Sequence, residues 1–430
     1  MKKLLTFILS AIFLLGMFSC SKPSGDAAAQ PTCEALTPRP YEPGLTYQEV
    51  YNPDTDFDNR YGRGYIGIRE TEDAYYFDFC SKYAYYYDKA SGEYGVLCGK
   101  PDCEHDAVKD NRNCNGYIDS KGGGTINLWN GKLYYASYYA TSESPCLVSL
   151  FRMNPDGTQH ERVFPFTCPT QYFGWAGLEL HRDMLYGRHF DEVVVNGEPL
   201  VTCNVSCWNI ETGEYKLIYE RYGNTSTSVV WTFYFGKYVY ICDSYWDYDA
   251  PELKTNIEIA RWDSEEEKLE TVYHGDGYGG ANYGIWVDAE DKIYFAPTIS
   301  DTVNGAKVYC LRSGEVEIAL DLGEPASIRL LDGAVVAFWL PDGDPEARRV
   351  VISDYDGNLI YKGGWTYEGY GEYDDYDSPS IDSVFGDRSS LYMVYGWRGN
   401  GANNRKRCVV KYDLTDPELK ATVLYSGKGL

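Results

Sequence analysis

A short tyrosine-rich strand motif recurs along this chain of 430 residues. A polar turn leads into a run of the Leu-Tyr-Tyr type at residues 132–135, 183–186, 237–240 and 292–295. Weaker copies lie at residues 75–77, 335–338 and 391–393. Apolar residues alternate with polar ones over short runs, and no segment keeps helical spacing over three turns. The pattern therefore predicts an all-β chain.

The seven copies of the motif define a repeating unit. Successive copies lie 42 to 58 residues apart, and a second strand, tight turn and strand follow each of them. That length suits a unit of four antiparallel strands. Units of this kind bury their faces and protect their edges when they close into a ring. We therefore predict a β-propeller of seven four-stranded blades, with six or eight blades as alternatives, and expect residues 45–50 to add a closing strand to the last blade.

The Leu-Tyr-Tyr strand with its following hairpin resembles a family of exported, Tyr-rich β-propeller lipoproteins of anaerobic bacteria. The resemblance covers most of residues 65–427. It implies the propeller fold, but it does not imply an activity, because the family is largely uncharacterised.

The N-terminus has the features of an export signal. Lys2 and Lys3 precede an apolar run that ends near Cys20, and the run is short for a membrane span. Cys20 resembles the lipid-modified cysteine of bacterial lipoproteins. We therefore predict a signal peptide at 1–19, a lipidated tether at 20–45 and a propeller domain at 46–430, with the protein on the cell membrane and facing outside the cytoplasm.

The net charge limits the partners of the folded domain. The formal charge is −25, and it becomes −27 once Lys2 and Lys3 are removed with the signal peptide. Such a surface repels nucleic acid and anionic lipid. We expect no nucleic-acid partner and membrane attachment through the lipid anchor alone.

One loop between the first two blades concentrates potential metal ligands. Cys98, Cys103, His105 and Cys114 form an insertion at 98–114 with the pattern C-x4-C-x-H-x8-C. Three thiolates and an imidazole make a closed tetrahedral set for structural zinc. The segment also resembles a cysteine and histidine element of the same lipoproteins. A disulfide between two of the three cysteines is the alternative, because exported proteins commonly oxidise their thiols.

The sequence also suggests roles for one run of acidic residues and for several further cysteines. Asp54, Asp56 and Asp58 form a D-x-D-x-D run that suits calcium, with an ordinary solvated turn as the alternative. Several other cysteines fall inside predicted strands and are expected to be small core residues. These are Cys80, Cys203, Cys207, Cys242, Cys310 and Cys408.

No catalytic motif identifies a reaction. The chain lacks G-x-S-x-G and H-E-x-x-H sequences, and no catalytic residue can be assigned. We expect a binding or interaction module whose partner is an envelope protein or a glycan. The alternative is a carbohydrate-active enzyme that uses carboxylates at the channel mouth. Recurrent tryptophans would then stack on sugars, although packing between blades also explains them; they are Trp129, Trp175, Trp231, Trp286 and Trp339.

Overall fold

The computed structural model describes the chain from residue 50 onward, with gaps. The described residues are 50–61, 66–79, 82–105, 111–118, 126–139, 147–167, 172–173, 178–195, 198–223, 229–247, 254–276, 285–288, 292–297, 305–312, 314–339, 349–364, 380–398 and 405–428. They form seven antiparallel sheets, each built from consecutive strands. The prediction of a seven-bladed β-propeller is confirmed.

The four positions of a blade recur in chain order. The first strands are β1 (Gly67–Glu70), β5 (Asn127–Trp129), β10 (Glu179–His181), β14 (Val229–Phe235), β18 (Ile285–Val287), β22 (Ser327–Leu331) and β26 (Ser380–Gly386). The second strands are β2 (Ala74–Asp78), β6 (Lys132–Tyr139), β11 (Met184–Val195), β15 (Tyr238–Asp247), β19 (Ile293–Phe295), β23 (Ala334–Trp339) and β27 (Ser390–Arg398).

The two outer positions repeat in the same way. The third strands are β3 (Ala84–Asp88), β7 (Leu147–Met153), β12 (Glu198–Asn209), β16 (Lys254–Asp263), β20 (Lys307–Arg312), β24 (Arg349–Ser353) and β28 (Arg405–Asp413). The fourth strands are β4 (Tyr94–Val96), β8 (Glu161–Thr167), β13 (Tyr215–Gly223), β17 (Lys268–Asp276), β21 (Glu315–Asp321), β25 (Leu359–Gly364) and β29 (Ala421–Lys428). A short extra strand, β9 (Tyr172–Phe173), pairs with β11.

The Leu-Tyr-Tyr motif marks the second strand of every blade. Most of its side chains are buried, because both faces of this strand pack against neighbouring blades. First strands of adjacent blades contact one another, as β14 does with β18 and β22 does with β26. They therefore form the innermost layer around the channel. A register shift recurs between the third and fourth strands of blades 2 to 7, and such bulges increase strand twist.

Blade 7 meets blade 1 where the ring closes. All four strands of blade 7 come from the C-terminal part of the chain, and β29 contacts β3 and β4 of blade 1. Residues 45–49 lie outside the described residues, and Val50 belongs to no strand. The expectation that residues 45–50 add a closing strand therefore falls almost wholly outside the described residues and stays a prediction. Side chains of blades 7 and 1 also meet at this junction.

A tyrosine network forms this junction between blades 7 and 1. The Tyr392 hydroxyl lies 3.3 Å from the hydroxyls of both Tyr61 and Tyr75. Tyr61 also donates to the Glu70 carboxylate, to which the Lys89 ammonium donates at 2.7 Å. Burial alone would raise the pKa of Glu70, but hydrogen bonds from Lys89, Tyr61 and Tyr75 hold it below the usual value. A satisfied buried network of this kind fixes one packing arrangement of the two blades.

Residues 50–61, the mouth segment, cross one end of the channel. The backbone N–H groups of Asn130, Arg182 and Gly386 donate to carbonyls of this segment. These three residues lie at the ends of first strands or in the turns after them, in blades 2, 3 and 7. The side-chain amide of Asn59 accepts from the N–H of Tyr234, in blade 4, at 3.0 Å and donates to the carbonyl of the same residue at 2.6 Å. A small cavity of about 10 Å³ lies between the segment and the first strands of blades 1, 2 and 3.

The described strand cysteines are core residues. Cys203, Cys207, Cys242, Cys310 and Cys408 are buried, as expected. Burial raises the pKa of Cys207, Cys310 and Cys408 to about 12, so they are inert thiols. Cys80 lies outside the described residues.

Candidate metal centre

The Cys/His loop joins the outer parts of blades 1 and 2. It begins at Cys98, just after β4, and its far end runs along the turn between β2 and β3. There the Gly116 carbonyl accepts from the Ala84 N–H and the Ile118 N–H donates to the Lys82 carbonyl, both at 2.8 Å. On the other side, the Asn115 carbonyl accepts from His160 Nε2 of blade 2 at 2.7 Å. The loop is therefore held by both blades.

The four predicted ligands come together in this loop. The three Sγ atoms and a ring nitrogen of His105 all lie within 4.8 Å of one another. Ligands of tetrahedral zinc, at about 2.0–2.3 Å from the metal, lie roughly 3.3–3.8 Å apart, so small side-chain movements suffice to enclose the ion. The Nε2 atom of His105 is buried and has no hydrogen-bond partner. A buried ring nitrogen without a partner is costly unless something binds it, and a metal ion would do so.

The three thiols of this site are free and differ in ionisation. No disulfide joins the cysteines in the described part of the chain. Burial alone would raise the pKa of Cys98, but hydrogen bonds from His105 and from backbone groups of Lys100 and Asn115 lower it to about 6. Burial raises the pKa of Cys114 to about 12, and the neighbouring Cys98 adds to that rise. The surroundings of this site therefore shift the pKa values of the two thiols in opposite directions.

Neighbouring residues hold the ligands in position. The Tyr83 ring is fully buried and meets His105 edge-on, with 6.3 Å between centroids and an angle of 68°. The Asn111 amide donates to Cys103 Sγ at 3.5 Å and to the Glu104 carbonyl at 2.8 Å. Orientation of ligands by a second layer of contacts is typical of metal sites.

Gly116 lets the loop approach blade 1 closely. A Cβ at this position would lie 2.7 Å from Cγ1 of Val96 and 3.0 Å from the Leu97 carbonyl oxygen. Real Cβ atoms do not approach so closely, so any larger residue would push the loop away from β4. Cys114 lies two residues before Gly116 and would move with it.

The carboxylates predicted to bind calcium are not brought together. Asp54 is exposed, whereas Asp56 and Asp58 are buried in the mouth segment. Asp56 accepts from Arg182 Nε at 3.0 Å, and Asp58 accepts from Arg60 Nε and Nη2 at 3.0 and 2.7 Å. These arginines supply the positive charge that a calcium ion would bring. Within the described ranges, the Cys/His cluster is the group whose ligand atoms lie close enough together to hold a metal ion.

A buried acid of the inner layer is likewise bonded to protein. Glu179 lies on β10 and accepts from Arg188 at 3.2 Å and from the Tyr234 hydroxyl at 2.7 Å. The hydroxyl of Thr232 is a third donor to it. This carboxylate links the inner strands of blades 3 and 4.

The described tryptophans of the recurrent set pack between strands. Trp286 is fully buried against Phe233, with 5.0 Å between ring centroids and an angle of 80°. Trp231 packs on the same core, and the guanidinium of Arg188 lies 5.4 Å from its ring. Trp175 lies outside the described residues. The packing explanation of these residues therefore fits better than sugar stacking.

An open groove runs along the Cys/His loop. One wall is formed by residues 112–118 and Lys100, and the other by Tyr135 and Phe151 of blade 2 together with His160. Its volume is about 510 Å³, within the range of small-molecule sites, roughly 300–1,000 Å³. Cys114 lies in the wall of this groove, so the candidate metal centre and the groove share a residue.

Sequence reasoning missed the residues that organise the mouth segment. His181 is 2% exposed; its Nδ1 accepts from the Phe57 N–H at 3.1 Å, and its Nε2 donates to the Gly236 carbonyl at 2.8 Å. Burial lowers its pKa to about 4, although Asp56 opposes the change. The sequence around His181 gives no sign of this role. No local sequence pattern predicts the contact between Phe57 and His181, which are 124 positions apart.

The predicted lipid anchor lies outside the described residues. Cys20, the signal peptide and the tether all precede residue 50. Among the residues described, no helix is long and apolar enough to cross a bilayer.

Comparisons with known proteins identify no family for this chain. No family model matches the chain, and no curated protein matches it. Among solved structures, it is similar to the β-propeller domain of the trilobed protease from Pyrococcus furiosus, at 13% identity and a TM-score of 0.42, covering 83% of this chain and 97% of that one. It is also similar to the acylaminoacyl peptidase of Pyrococcus horikoshii, at 11% identity and a TM-score of 0.45, covering 86% of this chain and 54% of the peptidase.

Proposed function

We propose that this protein is an exported, lipid-anchored β-propeller that acts as a binding module, with a structural zinc ion at Cys98, Cys103, His105 and Cys114. The observation that carries the proposal is the convergence of four ligand atoms within 4.8 Å in a loop that also forms one wall of a groove. Zinc supplies a rigid cross-link between distant parts of that loop. The ion would therefore fix the groove against blades 1 and 2.

The donor set favours a structural role for the ion. Three cysteines and one histidine fill all four positions of a tetrahedral zinc site and leave none for water or substrate. Among its described residues, the loop between Cys98 and Cys114 has no strand. A metal clip stabilises such a segment mainly because it restricts the unfolded chain.

The pairing of two buried acids supports a binding role over cleavage. Glycoside hydrolysis needs one carboxylic acid that gives up a proton and a second carboxylate close to it. Glu179 and Asp58 are each held in an ion pair with an arginine of this chain, so protein groups already occupy both carboxylates. Release of reducing sugar from envelope polysaccharides by the purified protein would contradict the binding role.

Metal analysis of the purified protein tests the zinc site. We expect one zinc per chain, and cobalt substitution should give the visible bands of a tetrahedral thiolate site. Cys98→Ser should lose the metal, whereas Cys310→Ala, a change at a buried thiol of blade 5, should keep it. Absence of zinc together with a disulfide among Cys98, Cys103 and Cys114 would refute the site.

The anchor and the partner need separate tests. Cys20→Ser should move the protein from the membrane fraction to the soluble fraction, and an intact mass without added lipid would refute the anchor. A glycan array and a pull-down from envelope extracts then compare the two partner classes. Capture of envelope proteins with a negative array would favour a protein partner.

A further inference from the structure

We infer that the groove beside the Cys/His loop binds a short acidic saccharide, meaning a sugar that carries a carboxylate. This inference names the ligand class for the binding role proposed above and rests on that proposal. It is drawn from the charge, the shape and the chemical groups of the groove.

The groove is locally cationic on a strongly acidic protein. Lys100 and Arg112 line it, and no Asp or Glu is among its described lining residues, although the chain carries a net charge of −25. Arg112 is exposed, and a guanidinium can hold a carboxylate through two parallel hydrogen bonds. The Lys100 ammonium donates to the Asn113 carbonyl, which uses one of its three donors and fixes its position.

The remaining groups suit a sugar ring. The rings of Tyr117 and Phe151 are half-buried, and Phe151 stacks on Tyr135 with 5.3 Å between centroids and 10° between planes. Such faces offer apolar surface to the C–H groups of a sugar. The side chains of Asn113 and Asn115 line the same groove, and an amide can both donate to and accept from hydroxyls.

One wall of the groove is rigidly placed. His160 donates from Nε2 to the carbonyls of Asn115 and Gly157, at 2.7 and 3.0 Å, and its Nδ1 accepts from the Tyr135 hydroxyl at 2.8 Å. Both ring nitrogens are thus used in joining the loop to blade 2. A preorganised wall lowers the entropic cost of binding a small ligand.

Size and charge limit the length of the ligand. A volume of about 510 Å³ holds one or two sugar rings and no folded domain. A long polyanion would extend beyond the groove over a protein whose net charge is −25 and would be repelled by it. The ligand is therefore a single acidic sugar or the acidic end of a short oligosaccharide.

Titration calorimetry on the mature protein, with its metal content measured, tests the inference. We use glucuronate as the probe and glucose as the neutral comparison, and we expect glucuronate to bind at least ten times more tightly. Arg112→Gln should weaken glucuronate binding by roughly 10-fold or more, because a charge-assisted hydrogen bond is lost. Arg388→Gln removes the same charge from an exposed turn of blade 7 outside the groove, and it should leave binding unchanged.

The outcomes separate this inference from the proposed zinc site. One zinc per chain with no glucuronate binding at 10 mM, a concentration of about the order that weak sugar sites require, overturns the groove inference and leaves the zinc site standing. Glucuronate binding to protein that lacks zinc and carries a disulfide among Cys98, Cys103 and Cys114 refutes the zinc site and supports the groove. Equal affinity for glucose, for inorganic phosphate or for a short acidic peptide overturns the assignment of an acidic sugar, as does wild-type affinity in Arg112→Gln.

Discussion

Acidification should loosen the mouth segment, because His181 is buried in its neutral form. Its Nδ1 accepts from the Phe57 N–H, and Nε2 donates to the Gly236 carbonyl. A proton added to Nδ1 removes the acceptor for Phe57 and places a charge in a site that is 2% exposed. The folded pKa of about 4 is below the ordinary value of 6.5, so the unfolded chain takes up this proton first as the pH falls.

The size of the effect follows from the gap between the two pKa values. Each unit is worth about 1.4 kcal/mol, so His181 contributes roughly 3 kcal/mol to the free energy of unfolding above pH 6.5. That contribution is lost as the pH falls from 6.5 to about 4, with about 2 kcal/mol gone by pH 5. Burial also lowers the pKa of His189 to about 4, which adds a change of the same sign.

Urea denaturation followed by tryptophan fluorescence at pH 7.5, 6.5 and 5.0 measures this loss. The wild-type free energy of unfolding should fall by at least about 2 kcal/mol across the series. His181→Asn should be less stable at pH 7.5 but should lose about 2 kcal/mol less between pH 7.5 and 5.0. A flat wild-type profile, or a variant with the full wild-type pH dependence, would refute the role given to His181.

Three substitutions test other contacts. Gly116→Ala places a Cβ 2.7 Å from Val96 Cγ1 and should lower the free energy of unfolding by about 1–3 kcal/mol. Its control is Gly95→Ala, whose Cβ meets nothing within 4 Å. In the same denaturation assay, the control should cost no more than about 1 kcal/mol. Tyr392→Phe removes the hydroxyl between Tyr61 and Tyr75 and should cost about 1 kcal/mol; exposed Tyr94→Phe is its control, and equal effects would contradict the junction network. Asn59→Ala leaves two buried backbone groups of Tyr234 without their partner and should lower the free energy of unfolding by about 2–4 kcal/mol. A variant as stable as the wild type would contradict the role of the mouth segment as a fixed element.

The blades were predictable because their signal is local and repeated. A second strand packs against neighbouring blades on both faces, so the same Leu-Tyr-Tyr run recurs wherever that environment recurs. The Cys/His cluster was predictable for a similar reason, since its four ligands lie within seventeen residues. The short sequence separation of these four residues keeps their side chains close enough to converge.

The mouth segment was not predictable, because its contacts are distant in sequence. The D-x-D-x-D run suggested calcium, but the guanidinium beside Asp56 belongs to Arg182, 126 positions away. Asn59 reaches Tyr234 across 175 positions. The closing strand at residues 45–50 was predicted from a general property of propellers and stays a prediction, whereas no sequence pattern indicated the contacts of Tyr392 with Tyr61 and Tyr75. Long-range partners of single polar residues leave no periodic pattern in a sequence.

Anomalous X-ray diffraction at the zinc absorption edge tests the central proposal most directly. Crystals of the mature protein grown without added metal should show one strong anomalous peak, bonded to Cys98, Cys103, His105 and Cys114 at about 2.0–2.3 Å. A disulfide between two of these cysteines, with no anomalous peak beside His105, would contradict the account.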